Sequence, residues 1–137
     1  MVIDSLGMGG AEQVVVTLGK EFISLGHTVD LIIINNIVEV EVPDTFIIHN
    51  LDFKKTFFDY LRYSTTLHNM VDQIANKYTG GFDLLLVNLQ KSTRLMKRYE
   101  HKNIYHIVHN TISYTSLKNR DGFRLYLKKR SLQRIYN

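Results

Sequence analysis

Two stretches near the amino end decide the fold. Met1-Val2-Ile3-Asp4-Ser5-Leu6 runs into Gly7-Met8-Gly9-Gly10, and Thr28-Val29-Asp30-Leu31-Ile32-Ile33-Ile34 follows 17 residues later. The first reads as a short apolar strand interrupted by Asp4, then a turn that only glycine-rich sequence makes easily. The second is an almost unbroken β-branched run, the mark of a parallel strand covered on both faces. Between them, Val14, Val15, Leu18, Phe22 and Leu25 recur at helical spacing, and Gly26 stands where a glycine ends a helix. Strand, glycine loop, helix and strand make a βαβ unit.

The pattern continues outward. Residues 37–42 alternate with period two and predict an edge strand or hairpin arm ending at Pro43, the only proline. Residues 45–51 predict a further strand. Residues 57–78 predict a helix with Leu67, Met70, Val71, Ile74 and Tyr78 on one stripe. Gly80-Gly81 closes it, and 82–89 predicts another buried strand. A short basic helix over 91–99, a strand over 103–109, a polar connection over 110–122 and a last helix over 123–136 complete the chain. Alternating strands and helices imply an α/β fold, a Rossmann-like three-layer αβα sandwich on a mostly parallel sheet, with 1–137 as one domain.

Composition narrows the function. The 137 residues are 45% hydrophobic and 22% charged, ordinary globular values that exclude collagen-like and disordered classes. No apolar run reaches the roughly 18 residues of a membrane span, and the first residues lack the basic start and cleavage site of a signal peptide. The chain has no cysteine, which excludes disulfides, thiolate catalysis and Cys-bound zinc and fits a reducing cytoplasm. The net charge of +4 is uneven: residues 1–90 carry five basic and 11 acidic side chains, residues 91–137 carry 12 and two. The last third therefore either faces something anionic or presents a solvated basic helix face.

In an open parallel sheet, ligands bind beyond the carboxyl ends of the strands where strand order reverses. With the order 3-2-1-4-5, the Gly9-Gly10 loop, Asn88, Gln90 and His109 would meet at one crevice, and Asn110 closes the same strand as His109. His27, ahead of its strand, belongs to the opposite rim. The glycine loop opens a helix, whose amides and positive end favour phosphate or carboxylate. Alternatively it is only a tight turn. It is not a dinucleotide fingerprint, because Glu12 stands where the third glycine belongs and Asn35-Asn36 where the ribose-binding acid belongs. Nor is it a P-loop, since no Gly-Lys-Ser/Thr follows. His106 and His109 point to opposite faces of a strand and share no metal easily, so no metal site is expected. Glu12 either contacts an acceptor or complements the helix dipole.

The run Gly9-Gly10-Ala11-Glu12-Gln13-Val14-Val15, then Leu18, then Leu25-Gly26-His27-Thr28-Val29, resembles the opening of glycosyltransferase family 4 enzymes of GT-B fold. Phe82-Asp83-Leu84-Leu85 is similar to the family's strand leading to the interdomain cleft. Tyr105-His106-Ile107-Val108-His109-Asn110-Thr111 is similar to the strand that brings a histidine there. The resemblance covers most of the chain. It implies the acceptor-side, amino-terminal half of a retaining enzyme that moves a sugar from a nucleotide-sugar, UDP- or GDP-linked, to a glycan or lipid-linked acceptor of the cell envelope. The donor-binding domain with its Glu-x7-Glu motif would be the partner, and this half alone would not turn over.

On that reading Gly9 and Gly10 serve the donor diphosphate and His109 is catalytic, beside the reacting sugar. Glu12, Asn88, Gln90 and Asn110 face the acceptor or cleft. No Asp-x-Asp is present, so the reaction is expected to run without metal or other cofactor. Arg124, Lys128 and Lys129, interleaved with Phe123, Tyr126 and Leu127, would meet an anionic membrane surface or the second domain, both ranking above nucleic acid. The expected location is cytoplasmic, peripheral on the inner face of the membrane. The rival reading is a non-enzymatic α/β domain that binds an anion or regulates.

Overall fold

The computed structural model describes residues 1–52, 59–107 and 109. The chain divides into two compact units, Met1–Ile107 and Val108–Asn137, and His109 is the one described residue of the second. The expected helix over 123–136, together with Asn110, Arg124, Lys128 and Lys129, lies outside the described residues.

In the first unit the elements run β1 (Val2–Ile3), α1 (Gly10–Ser24), β2 (Asp30–Ile33), β3 (Ile47–Asn50), α2 (Asp59–Ala75), β4 (Leu85–Asn88), α3 (Gln90–Met96) and β5 (Ile104–Ile107). The five strands form one parallel sheet in the order β3-β2-β1-β4-β5. The α/β class and the strand order match the sequence reading.

Alternate residues of each strand supply two cores, as pleating requires. On one face Ile3, Leu31 and Ile33 pack with Val15 and Val16 of α1, and with Val40 and Phe46. On the other, Val2, Ile32, Leu85 and Val87 pack with Leu67, Val71 and Ile74 of α2 and with Leu95 and Met96 of α3. Burying each such side chain contributes about 1.5–3 kcal/mol before entropy is counted. The stripe expected for α2 is the one that is buried.

The stripe of α1 is turned from the expected one. Val14 and Leu25 are exposed, while Val15, Val16 and Gly19 are buried. Gly19 explains the rotation: a Cβ there would lie 2.7 Å from Cε2 of Phe46, so the helix approaches that ring on its glycine side. An apolar count that ignores glycine misplaces the face. The helix ends as expected. Gly26 takes φ +88°, its amide donates to Ile23 O at 2.9 Å, and the His27 amide donates to Phe22 O at 3.0 Å. The Phe22 and His27 rings meet edge to face across this Schellman closure.

Two other expectations change. Residues 37–42 form no strand; they make a single parallel bridge, Leu6 to Val38, because they cross beyond the end of β1 rather than running beside a strand. β1 is also shorter than 1–6, because the Asp4 side chain is drawn to the start of α3.

Candidate functional site

The carboxyl ends of β1, β2 and β4 meet where strand order reverses, and two strand-to-helix turns stand side by side there. The first leads from β1 through Gly7-Met8-Gly9 into α1. Gly9 is its N-cap with extended backbone (φ −114°, ψ 163°), and no side chain caps it. The Gly9 amide donates to Gly7 O at 3.0 Å, and the first helical bond runs from the Gln13 amide to Gly9 O at 3.2 Å. The first-turn amides that follow Gly9 have no partner inside the helix. Gly10 is exposed, and a Cβ added there would meet nothing within 4 Å.

Two carboxylates border this turn. Glu12 folds back over Gly9, its Oε2 filling the space a Gly9 Cβ would need. Glu39 Oε2 accepts the Met8 amide at 3.3 Å. Glu12, at the third helical position, lies where its charge complements the positive helix end.

The second turn leads from β4 through Leu89 into α3. Leu89 adopts φ 70° and ψ 170°, a region used almost only by glycine. Leu89 offers no capping side chain, and Asp4 supplies the cap from another strand. One Asp4 oxygen accepts the Lys91 amide at 2.9 Å; the other accepts the Ser92 amide and hydroxyl, each at 2.5 Å. Lys91 Nζ donates to Asn35 Oδ1 at 2.6 Å, and the Asn35 side chain and backbone amides both donate to Asp4 O, at 3.0 and 2.8 Å. This network ties the ends of β1, β2 and β4 together and brings one cation, Lys91, to the crevice.

Of the residues expected here, Gly9, Gly10, Glu12 and Gln90 lie at the two turns, Gln90 as the first residue of α3. Asn88 is at the end of β4 but fully buried, its amide donating to Val2 O at 3.3 Å, so it secures β1 to β4 from inside. His109 is half-buried, two residues past β5, in the second unit. His106 lies within β5, and desolvation lowers its pKa. Asp4, Asn35, Lys91, Ser92 and Glu39 were not assigned these roles from sequence. A usable signal did exist: a helix entered through Leu89-Gln90 has no cap of its own, and Asp4 is the lone carboxylate at the end of the first strand.

The opposite rim holds a second polar group. Asp30 Oδ1 pairs with His49 Nε2 at 2.6 Å, and Asp30 Oδ2 accepts the Tyr78 hydroxyl at 2.5 Å. That hydrogen bond, with burial and the Asp30 charge, pushes the Tyr78 pKa up to about 12. His27 is on this rim, as expected.

Among the described residues no group of three His, Asp or Glu side chains could hold a metal ion, and no helix is long and apolar enough to cross a membrane. No protein-family model, curated protein or solved structure matches the chain.

Proposed function

We propose that residues 1–137 are the acceptor-side domain of a retaining GT-B glycosyltransferase that moves a sugar from a UDP- or GDP-sugar to a glycan or lipid-linked acceptor. The observation that carries the reading is the α1 turn: a glycine-lined helix start with no side-chain cap, at the reversal point of a 3-2-1-4-5 parallel sheet. Departure of the nucleoside diphosphate builds negative charge, and fixed amides aimed at that charge lower the barrier. The Gly10 amide and the first-turn amides after it supply these donors, Gly9 shapes the turn that presents them, α1 adds its positive end, and Lys91 adds a nearby cation. Glu12 holds the turn before substrate arrives and swings out when the diphosphate enters, where it can meet an acceptor hydroxyl. Gln90 contributes a polar edge on the neighbouring turn. His109 hydrogen-bonds a hydroxyl of the reacting sugar, and Asn110 stands beside it in sequence.

The partner is a donor-binding domain that holds the nucleotide, and the reaction needs no metal. Arg124, Lys128 and Lys129 contact anionic lipid on the cytoplasmic side of the membrane. Sedimentation with anionic and with neutral vesicles tests that contact, and equal binding to both rejects it. Turnover tests the chemistry: the full-length polypeptide carrying this domain is screened with nucleotide-sugars, beside its Gly9→Val and His109→Ala variants. The reading expects sugar transfer that falls at least tenfold in each variant. Turnover unchanged in both removes the assignment.

A further inference from the structure

Asn35, just past β2, stands where a dinucleotide-binding domain carries the acid that holds a ribose. Here its side chain meets a cation instead: Lys91 Nζ donates to Asn35 Oδ1 at 2.6 Å. β1 lies between β2 and β4, and Lys91 is in α3, the helix that follows β4. The Lys91 side chain therefore crosses the carboxyl end of β1, where the chain departs toward the glycine turn.

The Asn35 amide is held in one orientation. Its backbone N–H donates to Asp4 O at 2.8 Å and its Nδ2 donates to the same oxygen at 3.0 Å, which turns Oδ1 to the ammonium. Asparagine suits this place for two reasons that an acid would fail. The Nδ2 end donates to Asp4 O, where a carboxylate oxygen would be repelled. The Oδ1 end orders the ammonium but carries no charge, so it aims Lys91 without cancelling it. The neighbouring carboxylate, Asp4, answers the positive start of α3: its oxygens accept the Lys91 and Ser92 amides and the Ser92 hydroxyl.

On the diphosphate reading of this crevice, we propose that Asn35 is a positioning residue that holds the Lys91 ammonium over the end of β1, ready to meet a ligand of the diphosphate class. A lysine ordered beforehand loses less side-chain freedom when the anion arrives, and a neutral acceptor leaves it the charge to attract one.

Pyrophosphate titrations of the whole chain at fixed ionic strength compare the unaltered form with Lys91→Met, Asn35→Ala and the double variant. Lys91→Met should weaken binding about tenfold, and Asn35→Ala about threefold to tenfold. In the Lys91→Met background, Asn35→Ala should change affinity by less than about twofold, a coupling that mere loosening of the strand ends would not give. In the unaltered chain, the Lys91 ammonium should give its own 15N–1H cross-peak in the cold before pyrophosphate is added. Absence of that cross-peak, or an equal loss from Asn35→Ala with and without Lys91, overturns the positioning role. Binding that persists at the Gly10 amide and is unchanged in Lys91→Met also overturns it, while leaving the diphosphate reading in place. Failure of the unaltered chain to bind pyrophosphate overturns both.

Discussion

The starts of α1 and α3 are neighbours at one rim of one sheet, yet they are finished in opposite ways. α3 is entered through a strained Leu89, and its Lys91 and Ser92 amides are held by the Asp4 carboxylate just past β1. α1 is entered through glycines without strain, and no side chain caps it. A helix start whose amides are satisfied by a fixed internal anion is a structural joint. One bordered by Glu12 from its own first turn, with no side-chain cap, can exchange that carboxylate for another anion. The contrast favours the amides of the α1 start over those of the α3 start for the proposed diphosphate site, with α3 adding only side chains.

Breaking the α3 joint should have the largest effect. Asp4→Ala leaves the Lys91 and Ser92 amides and the buried Ser92 hydroxyl without their acceptor. It should lower stability by about 2–3 kcal/mol in urea titration, whereas Glu12→Ala at the other start should cost under about 1 kcal/mol. Equal losses would erase the distinction. Backbone strain gives a second test. At Leu89 the φ of 70° favours glycine, so Leu89→Gly should be more stable than Leu89→Ala by about 1 kcal/mol, the reverse of the usual order.

On the α1 side, Glu12→Gln removes the charge that competes with an incoming anion. Pyrophosphate should then bind several-fold more tightly, read by titration at fixed ionic strength, with stability nearly unchanged. The smallest effect belongs to the far rim. The Tyr78 pKa is raised from 10 to about 12 by its bond to Asp30. The folded state therefore keeps the phenol proton more firmly than the unfolded state does. The stabilisation is complete below pH 10 and is lost as pH rises through 12. Tyr78→Phe should flatten that part of the stability profile.

Much of this was legible in the residues. The β-branched run at 28–34, the glycine loop and the Gly26 closure fixed a βαβ unit, and the switch-point rule then named the rim. What escaped was long-range. Asp4 reads locally as a flaw in a strand, and only the fold brings it to a helix start 87 residues away. Asn88 reads as a rim residue until its amide is seen inside the sheet. The rotated face of α1 depends on Gly19 meeting Phe46, a contact that no periodicity encodes. Charge and hydropathy patterns report local environments; caps borrowed from other strands do not appear in them.

The most direct measurement of the central claim is a pyrophosphate titration of the 15N-labelled chain, following the amide resonances of both helix starts. The account predicts saturable shifts at Gly10, Ala11 and Glu12, little change at Lys91 and Ser92, and loss of the α1 response in Gly9→Val. Shifts of equal size at both starts, or none at α1, would contradict it.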